Sequence, residues 1–270
     1  MFTPYELFTD PIVLTILGLF AALALAEALR PGRPQTQVRG WRLKGVFFLF
    51  ATIALSSYAP LLWDGWFGEH RLIDATGLGH LGGALVGFLV LELGIYAWHR
   101  TMHRVDFLWR WLHQMHHSAE RVDLYGAFYF HPLDAIGFAL VTSACLVLVL
   151  GLTAPAAISA SLAAVFCGFF QHTNLRTPRW LGYLIARPES HSVHHQRGVH
   201  AYNYSDLPLL DMLFGTFRNP VEFDAECGFW DGASSEVLPM LIGRDVSERP
   251  ARESVSRSDS KTSPATAQAA

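Results

Sequence analysis

Five runs of mostly apolar residues dominate this chain, at about residues 11–29, 45–63, 78–98, 133–150 and 156–170. A helix needs roughly 20 such residues to cross the hydrocarbon core of a bilayer, so each run reads as a membrane-embedded helix. Composition agrees: 51% of residues are hydrophobic, 16% are charged and the mean hydropathy is +0.25, against about 25% charged in an ordinary soluble domain. The expected fold class is an all-α membrane protein with about five membrane-embedded helices. No basic segment precedes the first run, so it is expected to stay as an anchor rather than be cleaved as a signal.

The loops set an orientation. Residues 30–44 carry Arg30, Arg33, Arg39, Arg42 and Lys44 and no acidic residue, which places them in the cytoplasm under the positive-inside rule. Residues 64–77 hold Asp64, Glu69 and Asp74 against Arg71 and belong outside. The third run then returns to the cytoplasmic face, where residues 101–131, too charged to span, are expected as a helical segment hugging the interface. The fourth run leaves, the chain turns at Gly151–Pro155, and the fifth comes back. Residues 173–240 are expected to form a cytoplasmic histidine-rich helical cap. One integral-membrane domain would cover 1–240, and 241–270, poor in large apolar residues, would be a disordered tail.

Nine histidines collect at the cytoplasmic ends of these runs: His99 and His103, then His113, His116 and His117, then His172, then His191, His194 and His195. Residues three and four apart share a helix face, so each cluster presents several imidazoles together. His116 and His117 differ by about 100° in direction, so one helix is able to feed two adjacent ions. Any single histidine is better explained as a surface residue; nine with this repeated spacing on one side point to a dinuclear metal site.

Imidazole suits zinc, copper, iron and nickel, whereas calcium and magnesium want oxygen ligands. His99 does not open a metalloprotease motif, because Arg100 stands where the H-E-x-x-H base belongs. Two ions with about four ligands each, at a membrane surface, suit O2 activation directed at an aliphatic C–H bond; di-iron leads, and spacing alone leaves di-zinc open. A metal-binding or transport protein is the alternative of another class, but it needs ionisable groups across the midplane, and the spans offer little beyond Glu92. Glu92, Tyr96, His99 and His103 lie along one stripe of the third run, so Glu92 and Tyr96 are candidate outer partners of the site; Glu92 is equally open to being satisfied by another helix. His131 and His200 lie near the clusters without matching their spacing, and His70 and His80 fall at the outer end. A net charge of -3 and the lack of a basic run with interleaved aromatics exclude a nucleic-acid partner. Cys145, Cys167 and Cys227 show no C-x-x-C spacing and read as bystanders.

The three clusters, H-x3-H, H-x2-H-H and a later H-x2-H-H, resemble the signature of the integral-membrane fatty acid hydroxylase / sterol desaturase superfamily. Phe130-His131-Pro132-Leu133-Asp134, His172-Thr173-Asn174 and the run from Asn203-Tyr204 to Asp211-Met212-Leu213-Phe214-Gly215-Thr216 are similar to further family pieces, over about residues 80–220. The resemblance implies a non-haem, O2-dependent oxidoreductase with two iron ions on the nine clustered histidines, zinc being able to replace iron in purified protein. It implies a membrane lipid as substrate, of fatty acyl, sterol or isoprenoid type. Hydroxylation is the leading reaction; a lipid desaturase or ether-lipid monooxygenase is the alternative on the same site. With no electron-transfer motif in the chain, electrons are expected from a separate donor of ferredoxin, cytochrome b5 or reductase type. Tyr129 and Leu210 stand where many relatives carry Arg and Trp, differences that lie away from the histidines and bear on the substrate.

Overall fold

The computed structural model describes residues 3–249, which are mostly helical and hold no strand, with one isolated bridge between Gln196 and Cys227. The helices are α1 (Pro4–Thr9), α2 (Pro11–Leu29), α3 (Trp41–Tyr58), α4 (Asp64–Glu69), α5 (Gly79–Met102), α6 (Asp106–Leu108), α7 (Gln114–His117), α8 (Pro132–Ser143), α9 (Ala154–His172), α10 (Pro188–His194), α11 (Pro208–Leu213) and α12 (Val237–Leu241). Among the described residues, five stretches are long and apolar enough to cross a membrane: Pro11–Leu29, Trp41–Leu62, Thr76–Met102, Pro132–Val149 and Ala154–His172.

The first of these matches its expected bounds, and the others shift by a few residues. The second begins at Trp41 rather than residue 45, because a charged first turn does not stop a helix. Gly40, left-handed at φ 70°, starts it, the Trp41 indole donates to Asp123 at 2.8 Å, and Lys44 reaches the Ser234 carbonyl. Helix starts elsewhere use local chemistry: Asp10 accepts from the Ile12 amide ahead of α2, and the His131 ring accepts from the Leu133 amide ahead of α8. Each satisfies a donor that the first turn leaves without an intrahelical partner.

α5 and α9 form the central pair. A Cβ on Gly83 would meet Ala156 at 2.9 Å and one on Gly87 would meet Ala160 at 3.3 Å, so the register rises together and the two helices run parallel. Small residues permit this close approach. Because the pair is parallel, the ends that carry His99 and His172 lie on the same side. Leu91, Leu146 and Ala160 form the buried contact among α5, α9 and the π-helical continuation of α8 at Ala144–Val149.

Residues 101–131 are not an interface-hugging helix throughout. After α6, a π-turn at Trp109–His113 and α7, the chain becomes irregular and enters the body, where Ser118, Glu120 and Asp123 are buried. It pairs its polar groups there: Glu120 accepts from the Gly232 and Ser234 amides and from the Ser234 hydroxyl. α3 rests directly on this stretch. A Cβ on Gly45 would collide with the Tyr125 carbonyl oxygen and would stand 2.8 Å from the Tyr125 Cβ. Gly45→Ala is therefore expected to lower stability by about 1–3 kcal/mol, the usual cost of overpacking, read as an earlier thermal unfolding in detergent.

Residues 241–249, expected to open the disordered tail, are instead placed against the body. α12 ends at Leu241, and Val246 beyond it is buried in the cluster that holds Trp41, Met115 and Tyr129. Gln114 holds this extension in place, accepting from the Val246 amide and donating to the Arg244 carbonyl. Polar composition from residue 244 concealed the anchor, because the bonds are made by backbone. The remainder of the expected tail, from 250, lies outside the described residues.

Candidate metal centre

The nine clustered histidines come together at one end of the spans and divide into two groups. His99, His103, His113, His117 and His194 form one, with a ligand nitrogen from each within 4.8 Å of every other, and His116, His172, His191 and His195 form the second by the same measure. α5 supplies His99 and caps on His103; the π-turn and α7 supply the middle cluster; α9 ends on His172; α10 and its cap supply the rest. The spacing explains the division. In each H-x2-H-H cluster, the outer pair four residues apart shares a face and joins one group, while the residue between them turns to the other. His113 and His117 thus separate from His116, and His191 and His195 from His194. Eight of the nine are buried, and His103 is half-buried.

Ring protonation follows from the partners. Nδ1 of His99 donates to the Tyr204 carbonyl at 2.9 Å, His103 to that of His200 at 2.9 Å, His194 to that of Tyr202 at 2.7 Å and His172 to that of Gly168 at 2.7 Å. His113 Nδ1 donates to the Asp134 carboxylate at 2.8 Å. These oxygens only accept, so the proton sits on Nδ1 and each Nε2 presents a lone pair. Burial pushes the pKa values of His103, His116, His117, His191, His194 and His195 well below the ordinary histidine value, and the neighbouring imidazoles add to the effect. Neutral imidazole is the form that binds metal.

The inward atoms fit a cation. His99 Nε2 and His113 Nε2 lie 3.0 Å apart, and with both Nδ1 atoms protonated neither has a hydrogen to share. In the second group His172 Nε2 stands 3.0 Å from His116 Nε2 and 2.9 Å from His191 Nε2. Nitrogens about 2.1 Å from one ion and at right angles to each other are about 3 Å apart. Nε2 of His103, His117 and His194 is buried with no hydrogen-bond partner among the described residues, a costly arrangement that a cation would relieve.

Outer partners hold the rings. His117 Nδ1 lies 3.1 Å from His200 Nδ1. Burial lowers the His200 pKa to about 4, against a hydrogen bond to the Gly228 backbone that raises it. His200 thus backs a clustered histidine from outside the two groups. The chain from His200 to Tyr204 forms a strap whose carbonyls at 200, 202 and 204 orient three of the five rings. Three of its non-glycine residues adopt left-handed conformations, His200 (φ 41°), Tyr202 (φ 72°) and Asn203 (φ 46°). Such strain persists where surrounding contacts over-determine it: the Asn203 amide donates to the Ser190 carbonyl, and its oxygen accepts from the Arg218 amide.

Other sequence candidates sit further off. Glu92 accepts from the Ser205 hydroxyl and the Leu207 amide; the Tyr96 hydroxyl accepts from Arg100 at 2.6 Å and lies 3.3 Å from the Thr216 hydroxyl. Both therefore act on the segment that follows the strap. His131 caps α8 and reaches the Leu241 carbonyl. His80 meets Ser159, and His70 stacks on Trp66. Asp134 and the strap carbonyls escaped sequence reasoning as ring partners; the F-H-P-L-D and N-Y pieces were their only trace. A cleft of about 250 Å³ lined by His103, Arg104, Asp106, Trp109 and His200 opens beside the five-histidine group.

Comparison with known proteins agrees with the arrangement. The sequence profile described as Fatty acid hydroxylase matches residues 84–216, a stretch that contains all nine histidines. Residues 84–216, just under half of the chain, are similar to the fatty acid hydroxylase family. The chain is 28% identical to a Delta(7)-sterol-C5(6)-desaturase of Nicotiana tabacum over 68% of its own length and 67% of the relative's. It is 30% identical to an ornithine lipid hydroxylase of Rhizobium tropici over 50% of its length and 42% of the relative's. A very-long-chain aldehyde decarbonylase of Oryza sativa subsp. indica is 34% identical over 49% of this chain and 53% of that protein. For the latter two the match thus spans about half of the relative. No solved structure matches the chain.

Proposed function

We propose that this protein is an O2-dependent di-iron oxidoreductase that hydroxylates a membrane lipid of fatty acyl, sterol or isoprenoid type. The observation that carries the reading is the division of nine clustered histidines into two adjoining all-imidazole groups at one end of the apolar spans. His99, His103, His113, His117 and His194 would hold one ion and His116, His172, His191 and His195 the other. Two iron ions held there would supply the redox chemistry by which O2 places an oxygen atom in an aliphatic C–H bond. Iron is preferred to zinc because the relatives named above include a desaturase and a hydroxylase, and zinc undergoes no redox change.

The chain's own residues do the rest. The strap and Asp134 fix ring orientation, burial keeps the imidazoles neutral, and water is kept from the four-histidine group while the cleft leaves the five-histidine group approachable. Hydroxylation sends the second oxygen atom to water and consumes two electrons and two protons, which a separate donor of ferredoxin, cytochrome b5 or reductase type would deliver. The arginines of residues 30–44 support a cytoplasmic location for the histidine end, and one domain would run from the N-terminus to about Val246. Desaturation is the second reading, favoured by the length of the match to the sterol desaturase.

The deciding experiment compares lipid extracts from cells with and without the protein by mass spectrometry. Gain of one oxygen by a lipid class is the expected result, and loss of two hydrogens would move the assignment to desaturation. Purified protein should carry two metal ions per chain; less than one, or no O2-dependent product with reductant supplied, overturns the oxygenase reading.

A further inference from the structure

The segment that follows the strap descends beside α5, and its hydrogen bonds measure how far. Tyr204 meets His99 through its carbonyl, level with the histidine end of the helix. Three residues later the Leu207 amide donates to Glu92 Oε2 at 3.1 Å. Glu92 stands seven residues before His99 on one continuous helix, which is about 10 Å along the axis, toward the middle of the span. The chain turns at Pro208, forms α11 and climbs back: the Phe214 ring stacks on Tyr96 at 5.2 Å, and Thr216 reaches the Tyr96 hydroxyl.

Irregular backbone is tolerated at membrane depth only where protein satisfies it. Two acids do so here. Glu92 takes the Leu207 amide and the Ser205 hydroxyl, while Asp211 takes the Tyr204 and Ser205 amides at 2.9 and 3.0 Å and the Thr216 hydroxyl at 2.6 Å. An acid inside a span is expensive, and these bonds give Glu92 its reason to be there. The outward side of the dip is apolar: Leu209 is 58% exposed, Leu213 70% and Phe214 54%, as open as Leu89 (49%) and Leu93 (51%) on α5. Arg100 lies over the Phe214 ring, where a cation near a helix end reaches the headgroups.

The geometry points to a re-entrant segment: residues 204–216 dip into the leaflet at the histidine end of the spans and bury Leu209, Leu213 and Phe214 among lipid acyl chains. Lipid is the occupant because the patch lies between the level of Glu92 and that of Arg100, beside a helix whose Leu89 and Leu93 are exposed in the same way. The inference rests on α5 crossing a bilayer and is independent of the oxygenase reading. It also removes this segment from the cytoplasmic cap expected over 173–240.

Nitroxide labels on single cysteines test it. Leu209→Cys and Leu213→Cys are made in the full chain and reconstituted in lipid nanodiscs. Leu93→Cys is the lipid reference, Glu222→Cys the water reference, and the labelled parent chain the blank for its three native cysteines. Collision with O2, which enters the acyl region, is compared with collision with a water-soluble nickel chelate. The O2-to-nickel ratio at 209 and 213 is expected to match position 93 and to exceed position 222 several-fold. Ratios matching position 222 at both sites overturn the proposal and leave the patch facing water, free for a protein partner. Phe214→Cys replaces either variant should it elute as aggregate.

Discussion

His116→Ala and His194→Ala are each expected to abolish lipid oxidation and to lower bound metal, with insertion into the membrane unchanged. His116 belongs to the four-histidine group, whose reduction to three ligands would leave an ion held there without a complete imidazole set. Its ring stands 4.9 Å from His172 and 4.6 Å from His195, between centroids. His194 belongs to the five-histidine group and packs at 4.6 Å against His99, His103 and His117. Removing it leaves four rings that have lost their common neighbour, so His116→Ala should show the larger loss of metal. Insertion depends on the five apolar stretches, none of which contains either residue. Metal analysis of detergent-purified variants, beside membrane fractionation, reads both effects; unchanged metal in both variants sinks the assignment.

What was legible in the chain was local. Apolar run length marks the spans, since only length and hydropathy are needed, and the i, i+3, i+4 spacing of the histidines marks shared and opposed helix faces. The adjacency of His116 and His117 already implies two directions, and the two groups part along it. Partnerships made by distant backbone left no such mark. Tyr204, Tyr202 and His200 orient rings through carbonyls that every residue has, so nothing in their side chains announces it. Glu92 was visible as an acid in a span, yet its partners lie more than a hundred positions away at Ser205 and Leu207. Val246 is held by Gln114 for the same kind of reason, which is how a polar composition came to hide a packed extension.

Asp134→Asn tests whether orientation of one ring matters as much as its presence. Asp134 is fully buried in the first turn of α8, and its carboxylate accepts the His113 Nδ1–H at 2.8 Å. A carboxylate behind an imidazole fixes the proton on the outer nitrogen and makes the inner one a stronger donor to metal. Asparagine keeps the shape and removes the charge. Should its amide nitrogen face His113, the ring must carry its proton on Nε2, which blocks the lone pair beside His99. The expected result is metal affinity lower by about 10–100-fold at the five-histidine group, with the four-histidine ion retained. A buried acid in the first turn of a helix contributes up to about 2 kcal/mol through the dipole, so thermal unfolding should shift by several degrees at most. Titration with a competing chelator reads the affinity, and a melt on the same sample reads the stability. An Asp134→Asn protein that resists the chelator as the parent does removes the carboxylate from the site. A variant that loses metal only in proportion to lost fold makes Asp134 a structural anchor of α8.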